Sequence, residues 1–451
     1  MTVLRRENVA SEEIFLDAEE NQMNSHKHTF GRGTGRALGC AGLAIAAAAL
    51  GQAAKAQAGE TLTTLYQLSN AQGSLPAAAL LLGASGALYG TAVNGGAQSA
   101  GSVFRLAPPV AGQTAWTEQT LWSFGGAPDG AKPYGGLVAD ASGALYGTTS
   151  GGGAHGTGAV FKLTPPAAGQ TAWTETLLYS FTGGADGANP GANLILDSAG
   201  ALYGATPAGG ASGNGTVFKL TPPAAGQTAW TETVLYSFQA GANDGANPLC
   251  GLIWGPNGAL YGTTQNGGAA AWGTVFELSP PAKGKTAWTE TLVYDFTNPA
   301  NGANPVAGVT LGAGGVLYGV TYSWGSGFWG TAFSLTPPSA GKTKWTFGLL
   351  HTFTGGADGG GLASPLALGT DGSLYGAAAY GGFINPYWGT GVLFKLSPPA
   401  TAGGQWPFTT LATSFGQSGG PQGVRPQGGL TLGPGGAIYG TTTSGTVFEL
   451  Q

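Results

Sequence analysis

The chain is 451 residues long and carries 85 glycines and 27 prolines, yet it is 42% hydrophobic, 10% aromatic and only 8% charged. Disordered chains combine low hydrophobicity with high net charge, and collagen places glycine at every third position, so this composition excludes both. The net charge is −5, and the basic residues are too few and too scattered for a surface that follows a phosphate backbone. The composition therefore predicts a turn-rich, β-rich globular protein that does not bind nucleic acid.

Residues 1–58 have the composition of a secretory signal peptide. An uncharged apolar run at 37–50 follows Arg32 and Arg36, and the Ala-Gln-Ala triplet at 56–58 matches the small-x-small pattern that signal peptidase recognises. Met23 is an alternative start that would give a signal of ordinary length. The apolar run is too short and too rich in alanine for a membrane span, so we expect an exported chain (secreted, periplasmic or at the cell surface) without a transmembrane segment.

Cys250 is the only cysteine after residue 58, so no intrachain disulfide is expected in the mature chain. We also expect no cofactor and a monomer.

Seven copies of one unit make up the mature chain. The tyrosine of a Leu/Ile-Tyr-Gly triplet recurs at Tyr89, Tyr146, Tyr203, Tyr261, Tyr318, Tyr375 and Tyr439. The phenylalanine of Gly-Thr-Val-Phe-Lys-Leu and its variants recurs at Phe104, Phe161, Phe218, Phe276, Phe333, Phe394 and Phe448. A tryptophan follows each of the first six phenylalanines after 12 residues: Trp116, Trp173, Trp230, Trp288, Trp345 and Trp406. The strict period of these tryptophans favours packing between neighbouring units.

Each unit contains four short strands, which in the second copy lie at 136–140, 144–149, 159–163 and 174–181. Four strands per unit and seven units predict an all-β fold, a seven-bladed β-propeller over residues 59–451. The segment at 61–68 resembles a fourth strand, and the last unit lacks one. We therefore expect the N-terminal strand to complete the last blade and close the ring.

The repeat resembles the GloVer-type tandem repeat of exported bacterial proteins, the "choice-of-anchor" group. The matching segments are Leu-Tyr-Gly-Thr-Thr, a Gly-Gly loop, Gly-Thr-Val-Phe-Lys-Leu-Thr-Pro and Gly-Ala-Asp-Gly-Ala-Asn-Pro, and the resemblance covers residues 61–451. It implies export and repetition but no particular chemistry. More distantly, the unit is similar to kelch and NHL blades.

In a propeller, the loops between the second and third strands share one face with the loops between blades. In units four to six the first kind of loop is rich in aromatic residues, namely Trp272, Tyr322, Trp324, Phe328, Trp329, Tyr380, Phe383, Tyr387 and Trp388. Trp272, Trp329 and Trp388 each precede a Gly-Thr pair, which predicts equivalent positions on three blades. Such rings form a surface that stacks on sugars, or they pack on one another and cover the glycine loops.

The loops between blades carry acidic residues at one recurring position, occupied by Asp129, Asp186, Asp244 and Asp358, with Gln72, Asn301 and Gln422 in the remaining units. One interpretation is a ring of carboxylates that binds Ca²⁺ or a cationic ligand. The other, which we favour because the position also holds Gln, is an Asp-Gly or Asn-Gly turn in which the side chain caps its own backbone.

The sequence gives little support for catalysis. His155 and His351 are the only histidines after the signal, they lie in different units, and neither has a second ligand at metal spacing. Asp295 lies in a fourth strand, far from the channel. The sequence thus favours an exported, non-catalytic propeller, either a module that binds a glycan or another extracellular ligand on the face of units four to six or a structural scaffold without a ligand. The alternative is a carbohydrate-active lyase or hydrolase that uses the same face.

Overall fold

The structure, a computed structural model, describes residues 55–56, 60–382, 389–401, 403–413 and 425–451. Seven antiparallel sheets follow one another along the chain as the blades of a propeller, which confirms the predicted fold. Helical turns of the described residues are short 3₁₀ elements at Pro256–Gly258, Pro299–Asn301, Ala313–Gly315 and Pro434–Gly436. No helix in this part of the chain has the length and apolar character needed to cross a membrane.

The strands of each blade are given in order from the first to the fourth. Blade 1 contains Leu81–Leu82, Leu88–Ala92, Ser102–Ala107 and Thr117–Ser123. Blade 2 contains Val138–Ala139, Leu145–Thr149, Ala159–Thr164 and Thr174–Ser180. Blade 3 contains Ile195–Leu196, Leu202–Thr206, Thr216–Thr221 and Thr231–Ser237. Blade 4 contains Ile253–Trp254, Leu260–Thr264, Thr274–Ser279 and Thr289–Asp295. Blade 5 contains Thr310–Leu311, Leu317–Thr321, Thr331–Thr336 and Thr346–Thr352. Blade 6 contains Ala367–Leu368, Leu374–Ala378, Val392–Leu396 and Phe408–Thr413. Blade 7 contains Thr431–Leu432, Ile438–Thr441, Thr446–Leu450 and Leu62–Gln67.

The two sequence markers of the repeat are cross-strand partners. In blade 3, Gly204 of the Leu-Tyr-Gly triplet pairs with Phe218 of the third strand, and Phe218 is fully buried. A Cβ atom on Gly204 would lie 2.6 Å from the Phe218 ring. The glycine therefore recurs because the large ring of the neighbouring strand fills the space of a side chain.

The recurring tryptophans join blades 1 to 6 each to the preceding blade in the ring, as the sequence predicts. Trp173 of blade 2 meets the edge of Tyr89 in blade 1 with ring centroids 6.5 Å apart, and Trp116 of blade 1 meets Tyr439 of blade 7 at the same distance. Equivalent contacts join Tyr146 to Trp230, Tyr261 to Trp345 and Tyr318 to Trp406. The blades thus share cores across their interfaces all round the ring.

The N-terminal strand closes the ring in the predicted way. Leu62–Gln67 pairs antiparallel with Thr446–Leu450, and the backbone N–H of Thr61 donates to the carbonyl of Gln451 at 2.6 Å. Lys55–Ala56, which precede the predicted cleavage point, pair with the fourth strand of blade 6 as a fifth strand.

The loops between second and third strands lie beside the loops that enter the same blade. In blade 5, Ala303 of the entering loop forms a β-bridge with Ser323, and in blade 6 Gly360 does so with Tyr380. Two-residue ladders join the same loops in blade 2 (Gly130–Ala131 with Gly151–Gly152) and in blade 4 (Gly245–Ala246 with Asn266–Gly267). The two kinds of loop therefore share one surface, called the loop face below.

Candidate ligand-binding face

Three aromatic side chains of blades 4 and 5 form a stack on the loop face. The rings of Trp272 and Trp324 stack with centroids 5.1 Å apart and planes 23° apart, and Phe328 lies 5.9 Å from Trp324. Trp324 is 37% exposed and Phe328 is 52% exposed, whereas Trp272 is half-buried against the core shared by blades 4 and 5. We call these three residues the aromatic surface.

Trp324 occupies a backbone position where other blades carry glycine. Its φ is +64°, in the left-handed region that disfavours bulky side chains. The carbonyl of Trp324 accepts a hydrogen bond from the N–H of Gly330, six residues later, and this bond identifies the same position in other blades. Glycine occupies it there: Gly95 (φ 78°), Gly152 (71°), Gly209 (73°), Gly267 (85°) and, in a longer loop, Gly381 (85°). The turn requires the left-handed conformation, but it does not require an indole.

Phe328, four residues after Trp324, is also a bulky residue at a left-handed backbone position where other blades carry a small one. Its φ is +65°, and the equivalent left-handed residues are small: Ser99 (φ 57°), Gly156 (79°), Gly213 (77°) and Ala271 (56°). A bulky residue at positive φ stores backbone strain of about 1–3 kcal/mol. Blade 5 therefore carries two exposed rings at two positions where the backbone favours glycine.

Trp329 differs from its neighbours because its ring packs against backbone. A Cβ atom on Gly355 would lie 2.4 Å from the Trp329 indole, and one on Gly360 would lie 2.6 Å from the Trp329 Cβ. Its ring also lies 5.9 Å from Tyr380 and contacts the core shared by blades 5 and 6. Trp329 thus joins blade 5 to the loop that enters blade 6.

Tyr380 leads from Trp329 to a basic side chain. The guanidinium carbon of Arg425 lies 4.8 Å from the centroid of the Tyr380 ring, and Arg425 is exposed. Tyr322 lies nearby: a Cβ atom on Gly361 would contact both Tyr380 and Tyr322. A residue directly before a proline recurs at this position in six of the seven units, and this signal could have identified Arg425 from the sequence.

The predicted equivalence of Trp388 with Trp272 and Trp329 is wrong. Thr390 holds that position in blade 6, because its carbonyl accepts the N–H of Arg425 at 2.9 Å, as that of Trp272 accepts the N–H of Asn304 at 2.7 Å. The longer loop of unit six shifts the Gly-Thr pair out of register, and Gly391 rather than Gly389 precedes the third strand. Phe383, Tyr387 and Trp388 themselves lie outside the described residues.

The four aspartates of the entering loops accept hydrogen bonds from their own loops. Asp129 accepts the N–H of Gly125 at 2.9 Å, and Asp186 accepts both the N–H and the hydroxyl of Thr182, at 2.7 and 2.5 Å. Asp244 is only 7% exposed and accepts the N–H of Gln239 and of Gly245, each at 2.7 Å. Asp358 accepts the N–H and hydroxyl of Thr354.

These contacts are the ones expected of turn capping. Within the described part of the chain, no three His, Cys, Asp or Glu side chains come together as a metal site. Gln422 lies outside the described residues.

A second set of carboxyls faces three of these aspartates across blade interfaces. Burial and the negative charge of Asp129 raise the pKa of Glu175 to about 7. Burial acts in the same way on Glu232, beside Asp186, and on Glu290, beside Asp244. Each glutamate has one buried oxygen to which no donor of the described residues is directed. The acid pairs thus favour a protonated glutamate beside each aspartate.

The residue at the position of these glutamates differs between blades. In blade 1 the Gln72 amide donates to Glu118 at 2.8 Å, whereas in blade 5 the place of the glutamate is taken by Phe347, which stacks on Tyr294 at 4.7 Å. In blade 6, Phe408 stacks on His351 at 4.3 Å. The blade interfaces therefore change from acidic to aromatic on the side that carries the aromatic surface.

His351 contacts the next blade, whereas Asp295 contacts a loop of its own blade. His351 lies 3.1 Å from Asp358 (Nε2 to Oδ2), and although burial opposes it, this contact and the Thr354 hydrogen bonds lower the pKa of Asp358. Asp295 accepts the N–H of Ala269 at 3.1 Å, as Ser180 and Ser237 do in their blades. His155 lies in the blade 2 loop, in a different blade from His351.

The repeat pattern of the Gloeobacter/Verrucomicrobia repeat family matches residues 46–206, 117–323 and 192–450, and the chain belongs to this family. No curated protein matches the sequence. Among solved structures, a Carbohydrate-Active Enzymes Family AA12 protein of Trichoderma reesei is 14% identical, with 88% of this chain and 97% of that chain covered and a TM-score of 0.43.

Two further structures show a similar degree of likeness. A putative 6-phosphogluconolactonase from Bacteroides uniformis is 15% identical over 79% of this chain and 88% of that chain, with a TM-score of 0.47. The WD40 β-propeller domain of Doa1 is 9% identical over 87% of this chain and 97% of that chain, with a TM-score of 0.49. Likenesses at this level carry no information on activity.

Proposed function

We propose that this member of the Gloeobacter/Verrucomicrobia repeat family is an exported, non-catalytic β-propeller that binds a glycan on the loop face of blades 4 to 6. The aromatic surface of Trp272, Trp324 and Phe328 provides the contact. One observation carries the proposal: Trp324 and Phe328 are exposed rings at left-handed backbone positions that other blades fill with Gly, Ser or Ala.

Neither exposed ring is needed to form the turn that carries it. Blades 2 and 3 form the same turns with Gly152, Gly156, Gly209 and Gly213, so the fold does not need these rings. Each ring adds strain, and exposure to water means that neither recovers the full benefit of burial. A ligand that covers both rings would supply the missing contacts.

Sugars are the ligand class that this chemistry favours. The apolar faces of pyranose rings stack on flat aromatic side chains, and the indole N–H groups at the edges add polar contacts. Stacking a ring on an aromatic side chain is worth about 1–3 kcal/mol per base in nucleic-acid complexes, and we expect sugars to reach the lower part of that range. Asp358, in the entering loop whose Gly355 and Gly360 lie against Trp329, accepts hydrogen bonds from His351 and Thr354, which suits a structural role better than acid–base chemistry.

A glycan array compares the mature chain (59–451) with the double variant Trp324→Gly/Phe328→Gly, which copies the blade 3 sequence at both positions. We expect the wild type to retain at least one glycan and the double variant to lose it. Val110→Ala is the control, because it removes an exposed apolar side chain (64% exposed) from a loop between third and fourth strands, away from the loop face. Equal binding by the double variant would contradict the proposal.

Export has a separate test. We expect signal cleavage after Ala58, so intact-mass analysis of secreted material should give a chain that starts at Gly59. Secreted protein that retains Met1 or Met23 would show that the segment is not a cleaved signal.

A further inference from the structure

Four lysines lie on the face of the propeller opposite the loop face. Hairpins between first and second strands share this face with loops between third and fourth strands: in blade 5, a Cβ atom on Gly315 of the hairpin would lie 3.5 Å from Cγ of Pro337 in the loop. We call it the opposite face. The loops of blades 4 and 5 carry four exposed residues that we call the lysine patch: Lys283, Lys285, Lys342 and Lys344.

The two loops that carry the lysine patch are neighbours because blade 5 packs back on blade 4. Trp345, which follows Lys344, meets the edge of the Tyr261 ring in the second strand of blade 4, with centroids 6.0 Å apart. Tyr261 pairs with Glu277 of the third strand, and this strand leads into the blade 4 loop. The four positive charges are therefore concentrated on two adjacent blades.

The turns that carry the lysine patch do not require a positive charge. The N–H of Lys285 donates to the carbonyl of Ala282 at 2.8 Å, and the N–H of Lys342 donates to that of Ser339 at 2.9 Å. Blades 1 to 3 form the same turn with a glutamine as the donor residue, namely Gln113, Gln170 and Gln227. The lysines of blades 4 and 5 are thus additions to a turn that forms without them.

The surroundings of the lysine patch do not neutralise it. In the part of the chain that the structure describes, none of the four lysines forms an ion pair. The carboxylate of Glu277 accepts hydrogen bonds from Tyr261 and Ser279, at 3.0 and 2.9 Å. The equivalent loops of blades 1, 2, 3 and 6 and the hairpins of blades 4 and 5 contain no charged residue. Charges that only keep a protein soluble are distributed over its surface, and these are not.

We propose that the lysine patch binds the phosphate headgroups of an anionic lipid surface, so that the opposite face lies on the lipid and the loop face points away from it. Clusters of about four to eight basic residues attract anionic membranes, and each lysine near the surface contributes about 5-fold in affinity. The inference concerns a different surface from the aromatic surface and does not rest on glycan binding.

The form of the lysine patch favours a lipid surface over a single anionic polymer. All residues of 282–287 and 339–344 are exposed, so the lysines project from the tips of turns and do not line a cleft. A lysine ammonium is a point charge on a flexible stem, which matches phosphates dispersed over a surface, whereas the fork of arginine recognises one anion in a fixed geometry. Four charges are also fewer than the roughly six to ten phosphate contacts typical of a protein that follows a nucleic-acid backbone.

Flotation of the mature chain (59–451) with lipid vesicles tests the proposal. We expect the wild type to float with vesicles of equal parts phosphatidylglycerol and phosphatidylcholine and to remain behind with vesicles of phosphatidylcholine alone. Salt at about 0.5 M should release the protein, because it screens charges that are exposed to solvent. A wild type that binds both kinds of vesicle equally, or neither kind, would overturn the inference.

The variant Lys285→Gln/Lys342→Gln copies the turns of blades 1 to 3 and should bind the anionic vesicles at least about 10-fold more weakly. Lys162→Gln/Lys219→Gln is the matched control. It changes the net charge by the same amount in the third strands of blades 2 and 3, where each lysine lies over a tyrosine ring, and should leave binding unchanged. Thermal unfolding checks that both variants are folded. Equal affinity of the two variants would show that the lysine patch has no specific role.

Soluble competitors distinguish a lipid surface from other sources of negative charge. Glycerol phosphate, the free headgroup, should not displace the protein at millimolar concentration, because binding depends on several phosphates at once. Displacement by glycerol phosphate would indicate a discrete phosphate site, and binding to dextran sulfate without binding to vesicles would indicate a polymer; either result would overturn the inference. Trp324→Gly/Phe328→Gly should bind vesicles as the wild type does, and Lys285→Gln/Lys342→Gln should keep the glycan of the wild type, so the two proposals fail independently.

Discussion

The loops between the second and third strands of blades 3 and 5 have the same length and the same turns, but they carry opposite kinds of side chain. Gly209, Gly213 and Asn214 of blade 3 correspond to Trp324, Phe328 and Trp329 of blade 5, and the bridge from Gly209 to Asn214 recurs as the bridge from Trp324 to Trp329. The propeller therefore prescribes the backbone of this loop and leaves its side chains free. What blade 5 adds to that backbone is the best guide to what this protein does.

The three aromatic residues of blade 5 do not play one role. Trp329 covers the glycine backbone of the next entering loop and packs on the blade 6 core, whereas Trp324 and Phe328 stay exposed at strained positions. The comparison with blade 3 thus separates a residue that packs from two residues that the packing does not need.

Removal of the strand that closes the ring should destabilise the propeller more than any change to the loop face. Deletion of residues 59–70 removes Leu62–Gln67 and exposes the edge of Thr446–Leu450, so we expect aggregation or loss of cooperative unfolding. Size-exclusion chromatography and thermal unfolding measure both effects. A soluble deletion variant with an unchanged Tm would mean that the ring does not depend on this strand.

The buried ring of Phe333 gives the stability cost of removing a core side chain from blade 5, with which the exposed rings can be compared. Phe333 is fully buried between neighbouring blades, and Phe333→Ala should lower the free energy of unfolding by about 3–5 kcal/mol in urea titrations. Phe328→Gly, in the same blade, should lower it far less. Similar losses for the two variants would show that Phe328 belongs to the core.

Replacement of Trp329 should cost an intermediate amount of unfolding free energy. Trp329→Asn copies blade 3 and removes a half-buried indole from the glycine backbone of the next loop, so we expect a loss of about 1–2 kcal/mol. A urea titration beside Trp324→Gly measures the difference. If Trp324→Gly costs as much as Trp329→Asn, the two tryptophans share one structural role.

The acid pairs of blades 2 to 4 predict that the free energy of unfolding depends on pH. The aromatic interfaces of blades 5 and 6 make no such contribution. The folded chain keeps a proton on Glu175, Glu232 and Glu290 up to a pKa of about 7, whereas the unfolded chain releases it near 4.5. This contribution to stability is therefore complete below about pH 4.5 and is lost as the pH rises through 7. Because the carboxyls are only half-buried, solvent reduces the effect.

Replacing all three glutamates by Gln should raise Tm by a few degrees at pH 8 and leave it nearly unchanged at pH 5. Glu118→Gln is the matched control, because Glu118 accepts a hydrogen bond from Gln72 and its replacement should not raise Tm. A triple variant that is less stable than the wild type at pH 8 would show that these glutamates are charged and paired.

The fold could be predicted from the sequence because each marker has one physical cause that repeats. The Gly204–Phe218 contact and the Tyr89–Trp173 contact depend on local spacing, which the period displays directly. The site was only partly predictable. The aromatic content of the loops was visible, but the left-handed backbone of Trp324 and Phe328 appears only when the blades are superimposed residue by residue.

The alignment of residues between units also limited what the sequence could predict. Thr390 replaced Trp388 as the equivalent of Trp329 because the longer loop of unit six shifts the Gly-Thr pair, and sequence alone does not show where an insertion falls. Similarly, Asp129 in the loop that enters blade 2 and Glu175 in the fourth strand of that blade are 46 positions apart in the sequence, so their proximity appears only in three dimensions.

The free energy of unfolding of Trp324→Gly/Phe328→Gly tests the central claim most directly. Relief of strain at two left-handed positions offsets the lost stacking of about 0.5–1.5 kcal/mol and the added chain entropy of glycine, so we expect a value within about 1 kcal/mol of the wild type. That result would show that blade 5 carries its exposed rings for a purpose other than folding. A loss of more than about 2 kcal/mol, well beyond what stacking supplies, would show instead that the rings are part of the propeller's core.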